Sequence, residues 1–244
     1  MTLLLFAVAV APAVAIGFFV WSKDKYEKEP LKPILISFFL GCLSIVPALI
    51  LELFFGEIFP ENNWNLALTA FHAFLIVGFS EEISKFLMLR YYAWKQKEFN
   101  EPYDGIVYGV MISLGFAAFE NVMYVVEGGL SVAILRMFTA VPAHAIFGII
   151  MGYYFGHAYI DKANKTQHML RGLMAAVLLH GAYDFFLFQQ NFPALAFVSL
   201  IGVAIAGRIC LKAMKAHNER SPFKDGILPE EDEIEGIEEG NEEN

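Results

Sequence analysis

Six ionisable side chains, Glu81, Glu82, Glu120, His144, His180 and Asp184, lie in otherwise apolar runs of a 244-residue chain. Glutamate and histidine together, in a cavity that admits water, are suited to activating that water. A desolvated carboxylate acts as a base near neutral pH. An imidazole donates to an oxyanion or binds a metal. Two histidines, a glutamate ligand and a second glutamate as base match the ligand chemistry of hydrolytic zinc sites. Glu120, His144 and His180 are the candidate Zn²⁺ ligands on this reading. No His-Glu-x-x-His helix is present, so a metal-free arrangement stays open. There a glutamate activates water and the histidines stabilise the oxyanion.

The spacings narrow the geometry. Glu81 and Lys85 are four residues apart and Glu82 and Lys85 three, so either glutamate can pair with the lysine along a helix. The two glutamates diverge by about 100° around the helix axis. One is expected to be held by Lys85 while the other points across the bundle. His180 and Asp184 share a helix face. His144, Gly148, Gly152 and Gly156 form a stripe at four-residue spacing. Small residues at that spacing let helices approach closely in lipid, which places His144 on a packed inner face. A simpler role suffices for other polar residues: His72 and Asn121 read as interhelical hydrogen-bonding groups, and His157 and His168 as residues of the membrane margin. The six-residue set is different. Each charge at membrane depth costs about 2.5–3.5 kcal/mol on insertion scales, and mutual pairing does not call for two histidines and four carboxylates.

The elements that must position these groups are membrane helices. The chain is 57% hydrophobic and 18% charged, against about 25% charged for a soluble domain. Apolar runs near the ~20-residue spanning length fall at about 2–22, 32–54, 65–91, 104–126, 132–160, 169–189 and 192–213. The expected fold is an all-α polytopic membrane protein, a bundle of about seven transmembrane helices. Residues 1–216 form the helical body, with the motif core at 65–190. Residues 217–244 read as a disordered acidic tail: ten acids and no lysine or arginine lie in 225–244, and they account for the chain's net charge of −9. Cys42 and Cys210 show no metal spacing and read as reduced packing residues.

Four motifs, taken in order on separate spans, resemble the PrsW intramembrane proteases: Glu81-Glu82-x-x-Lys85, Phe116-x-x-x-Glu120, His144 and His180-x-x-x-Asp184. That group is related to the type II CAAX prenyl proteases and the bacteriocin-processing membrane proteases. Their second motif usually ends in histidine; here it ends in Glu120, as in PrsW-like members. The resemblance covers about residues 65–190. It implies an intramembrane endopeptidase whose catalytic set is the doubled glutamate and the histidines, of metallo- or glutamic type. It further implies a membrane-protein substrate, such as an anti-sigma factor, and a bacterial plasma membrane. The expected partners are that substrate and the lipid bilayer, with no nucleic acid. A proton- or ion-coupled transporter is the alternative, since intramembrane carboxylates and histidines also build proton relays. The chain lacks the paired Gly/Pro-interrupted spans of repeat transporters.

Charge distribution sets the expected orientation. Fifteen of the seventeen lysines and arginines follow spans 1, 3, 5 and 7, and Lys85 and Arg136 are the exceptions. The positive-inside rule then places the N-terminus outside and the C-terminus in the cytoplasm. Cysteine labelling of intact cells checks this. A thiol engineered near residue 58 should react with an impermeant reagent and one near residue 97 should not; the reverse pattern overturns the topology.

Overall fold

In hydrocarbon every backbone N–H and C=O must find its partner within the protein, so a helix is the economical solution for each span. A computed structural model describes residues 3–59, 65–189 and 192–224. Among them the chain is helical, with no strand. The helices are α1 (Leu3–Ser22), α2 (Leu31–Leu43), α3 (Ile45–Ile58), α4 (Leu66–Phe71), α5 (Phe79–Tyr91), α6 (Pro102–Phe138), α7 (Ala140–Ile160), α8 (Lys165–Leu187) and α9 (Ala196–Asn218). A π-helical segment, His72–Gly78, joins α4 to α5, so that 66–91 is one span with a widened middle. Helices α2 and α3 likewise form one span, interrupted at Ser44.

Six stretches are long and apolar enough to cross a membrane, and the fourth runs from Pro102 to Ile160. Its 59 residues would reach about 88 Å as one helix at 1.5 Å per residue, far beyond a hydrocarbon core of about 30 Å. The chain instead folds back within it. Gly129 adopts φ +68°, ψ −156°, a backbone state open to glycine and strained for other residues. The helix axis breaks again at Thr139, where Pro142 has no N–H to offer the carbonyl of Phe138. This hairpin divides the fourth stretch in two, so the described residues make seven apolar passes, the number expected from the sequence.

The two arms of the hairpin pack backbone to backbone. A Cβ on Gly105 would meet the carbonyl of Gly152, and one on Gly109 the carbonyl of Gly148. Ser113 donates to the carbonyl of His144 at 2.7 Å. The four-residue stripe of α7 thus faces α6, as its spacing predicts. Helix α6 is the axis of the bundle: nearly every residue from Pro102 to Ala118 is buried, with α1, α2 and α7 around it. Tyr103 reaches the carbonyl of Val20 in α1, and Asn121 donates to the carbonyl of Ala9. Asn121 is therefore interhelical glue, as expected. The large apolar side chains left exposed, such as Leu53, Phe54, Phe138 and Ile209, suit a lipid-facing surface.

At the other end of the chain the packed body continues past the expected boundary at 216. His217 and Asn218 are buried, and the Ser221 hydroxyl donates to Glu101. The acidic stretch 225–244 lies outside the described residues.

Close approach of α6 and α7 should be the fold's most sensitive packing contact. Gly109→Val inserts two methyls and a methine against backbone atoms that cannot rotate away, and overpacking of this kind costs about 1–3 kcal/mol or more. Its unfolding midpoint in detergent should fall. Gly202→Ala, where nothing lies within 4 Å of the new Cβ, should leave the midpoint unchanged.

Candidate active site

Four elements bring the six expected residues to one place. The π-helical turn is the first. Wide turns of this kind offset a helix by about one residue and recur at functional sites. Here the segment ends at Gly78, which lies against the backbone of Gly181, while Gly181 lies against Phe74. A side chain at either glycine would hold the helices apart. Their contact sets Glu82 of α5 beside His180 of α8, with Glu82 Oε1 and His180 Nδ1 2.8 Å apart.

Lys85 is the hub. Its ammonium contacts Glu82 Oε1 at 2.8 Å, Glu81 Oε2 at 3.0 Å and His144 Nδ1 at 3.2 Å. It also lies 4.1 Å from the centre of the Phe116 ring, a cation–π contact. An ammonium has three hydrogens and no acceptor, so all three are used. His144 Nδ1 must then accept, which leaves Nε2 carrying the hydrogen and donating to Glu120 Oε2 at 3.0 Å. Glu120 is also bound by Arg136 at 2.7 Å. Arg136 Nε donates in turn to Asn121 Oδ1 at 2.6 Å.

Both nitrogens of His180 face carboxylates: Nδ1 meets Glu82, and Nε2 lies 3.3 Å from Asp184 Oδ2 and 3.9 Å from Glu81 Oε2. Two acceptors are satisfied when both nitrogens carry hydrogen. The ring of Phe147 stacks on the imidazole, with centroids 4.8 Å apart and planes 19° apart, and so fixes its plane. His144 and His180 stand edge to face, with centroids 5.3 Å apart.

These residues border a cavity of about 630 Å³ between α3, α5, α6, α7, α8 and α9. Glu81, Glu120, His144, His180 and Asp184 line it; Glu82 and Lys85 do not. Glu82 is fully enclosed behind the cavity wall. The expectation that Lys85 would hold one glutamate and leave the other free is thus modified. Lys85 touches both, and it is access to the cavity that separates them.

Three lining residues carry more weight than the sequence suggested. Arg136, an exception to the charge rule, joins the Glu120 end of the network. Glu52 of α3 and Tyr183 of α8 also face the cavity. The signal for Arg136 was its isolation on the side otherwise free of basic residues.

The expected metal set, Glu120, His144 and His180, is only partly assembled. Glu120 and His144 touch, whereas His180 turns to Glu82 and Asp184. The donor atoms that do converge, within 4.8 Å of one another, belong to Glu81, Glu82 and His144. Their chemistry fits a zinc-type ion. In this arrangement they are held by the Lys85 ammonium, which a metal at the same place would displace.

Residues 29–207 match a family described as PrsW family intramembrane metalloprotease. Several curated relatives carry the name Protease PrsW. That from Shouchella clausii is 41% identical over 181 residues, covering 73% of this chain and 81% of the relative. The Bacillus subtilis relative is 37% identical over 73% of this chain and 80% of its own length. The Clostridioides difficile relative is 30% identical over 91% of this chain and 94% of its own. No solved structure is recognisably similar.

The network predicts that Lys85 is structural. Removing one partner of a buried ion pair costs about 3–5 kcal/mol, because the other charge is left uncompensated. Lys85→Met should therefore lower folded yield and unfolding midpoint along with activity. A Lys85→Met protein of unchanged stability and no activity would instead assign the ammonium a direct chemical role.

Proposed function

This chain belongs to the PrsW family of intramembrane proteases, and from that premise we propose how its buried cluster divides the work of peptide hydrolysis. The protein is an integral, multi-pass membrane endopeptidase, acting on a protein substrate in the membrane. The roles of individual residues and the finer identity of the substrate are the proposal.

One observation carries the assignment: of the two adjacent glutamates, Glu81 lines the cavity and Glu82 is sealed behind it. Glu81 is the general base. Its carboxylate takes a proton from a cavity water as the water oxygen attacks the scissile carbonyl. His180, its ring plane set by Phe147 and its Nδ1 held by Glu82, turns its Nε2 hydrogen from Asp184 to the oxyanion of the tetrahedral intermediate. As the C–N bond breaks, Glu81 returns the proton to the leaving amine nitrogen. Glu82 acts through other residues: it fixes His180 and Lys85. His144 and Arg136 hold Glu120, and the same His144 steadies Lys85.

A zinc-type ion would supply a bound water of near-neutral pKa; Glu81, Glu82 and His144 are the residues placed to hold it, and Glu81 would then serve as a ligand in place of acting as the base. Glu52, Glu127 and Leu187 lie on the cavity wall toward one end of their passes, where Arg136 also lines it. With the orientation expected from charge, the scissile bond is reached from the outer side. A single-span membrane protein is the substrate class, with an anti-sigma factor as the candidate offered by the family resemblance.

Reconstitution with single-span substrates tests the roles. General acid–base catalysis contributes about 10²–10⁴-fold, so Glu81→Gln should lose turnover on that scale while folding normally. Glu82→Gln should lose stability together with activity. An active Glu81→Gln enzyme overturns the assignment. Chelation tests the metal: activity lost to a strong chelator and restored by Zn²⁺, at about one ion per chain, supports it, and active protein free of stoichiometric metal eliminates it.

A further inference from the structure

A second buried cluster lies at the opposite end of α6. Asp104 precedes Glu120 by sixteen residues, about 24 Å along a helix at 1.5 Å per residue. Around it gather Asp24, Glu27 and Glu29 from the α1–α2 connection, and Glu101 just ahead of α6. Asp24 and Glu29 are 1% exposed, and Glu101 and Asp104 are fully buried.

Part of this acidity has a local explanation. Asp104 Oδ2 caps the start of α6, accepting from the backbone N–H of Asn100 at 2.8 Å and of Glu101 at 2.7 Å. Tyr108 donates to Glu29, and Ser221 to Glu101. Several other oxygens have no donor. Both carboxyl oxygens of Asp24, with Glu27 Oε2, Glu29 Oε1, Glu101 Oε1 and Asp104 Oδ1, are buried with no N–H or hydroxyl donor; the polar neighbours of Asp24 and Glu29 are other carboxyls of the cluster, Glu101 and Asp104. Buried carboxylates left this way are costly. Burial pushes Asp24 and Glu29 up to about 8.

The unpartnered oxygens converge. Donor atoms of Asp24, Glu101 and Asp104 lie within 4.8 Å of one another, and so do those of Glu27, Glu29 and Asp104. Asp104 belongs to both groups. An all-carboxylate donor set without histidine or cysteine selects hard cations over zinc.

We propose that this cluster binds a hard divalent cation of the Mg²⁺, Ca²⁺ or Mn²⁺ class, with Asp104 as the shared carboxylate. The ion clamps the α1–α2 connection onto the start of α6. Since α6 also carries Glu120, the clamp anchors the helix at the end remote from the active site.

The full-length protein in detergent, stripped with a chelator, provides the test. Its unfolding midpoint should rise saturably with Mg²⁺, Ca²⁺ or Mn²⁺, since a ligand of the folded state stabilises it by mass action. Electron paramagnetic resonance should show stoichiometric Mn²⁺ binding, kept in Glu81→Gln and lost in Asp24→Asn. Asp24 accepts from no donor outside the acidic cluster, so Asp24→Asn is the cleaner variant; Asp104→Asn also removes a helix cap. Absence of Mn²⁺ binding and of any metal-dependent shift in wild type overturns the proposal. So does binding that survives Asp24→Asn but vanishes in Glu81→Gln, which would place the ion in the active site. An Asp24→Asn protein more stable than metal-treated wild type would show that the carboxyls are instead protonated and share hydrogens.

Discussion

The Lys85 ammonium is the constraint around which the membrane interior of this protein is built. Two adjacent glutamates at bilayer depth repel each other, and Glu82 is sealed from solvent. One cation placed within 3.0 Å of both makes the arrangement tenable. A lysine three and four residues along the same helix is the shortest covalent route to that placement. The remaining geometry follows. The third hydrogen of Lys85 fixes the tautomer of His144, which fixes the donor presented to Glu120, which in turn requires Arg136. A chain of partners thus runs from α5 through α7 to both arms of the α6 hairpin.

Such a chain tolerates little slack, because its Lys85–His144, His144–Glu120 and Glu82–His180 links are hydrogen bonds between different helices. The glycine contacts supply the required closeness. Gly105 and Gly109 against Gly152 and Gly148 draw α6 and α7 to backbone contact, and Gly78 against Gly181 does the same for α5 and α8. In lipid these helices gain little from apolar burial against one another, so close packing and interhelical hydrogen bonds hold them together. Stability and site geometry therefore depend on the same contacts. The proposed cation clamp at the start of α6 would add a restraint of a different kind, electrostatic and at the membrane margin.

Much of this was legible in the sequence because charge inside an apolar run is a strong signal. The seven passes, the hairpin turn near 127–131, the inner face of the α7 stripe and the meeting of Glu81, Glu82, Glu120, His144, His180 and Asp184 followed from residue type and spacing. What the sequence withheld depends on rotation and on partners distant in the chain. Spacing shows that Glu81 and Glu82 diverge, but not which one meets the cavity, because the π-helical turn at His72–Gly78 offsets α5 relative to α4. His180 suits a metal by its chemistry, yet two carboxylates already claim its nitrogens. Arg136 looked like a stray charge until the hairpin brought it opposite Asn121 and Glu120. The cluster around Asp104 went unread because acids beside a span resemble ordinary solvated flanks, and only folding shows them buried.

The difference between Glu81 and Glu82 illustrates how one fold can assign two roles to the same side chain. Both reach Lys85 with similar distances, so the ammonium alone does not distinguish them. Glu82 is also bound by His180 Nδ1, and no surface of it faces the cavity. It can orient its neighbours but cannot meet a water on its way to a substrate. Glu81 keeps one face on the cavity while Lys85 restrains the other. In the proposed mechanism the base must be both held and accessible, and of the two glutamates Glu81 is the one so placed. Without the extra residue of the π-helical turn, α5 would be rotated by about 100° relative to α4, and both glutamates would be carried to a different face.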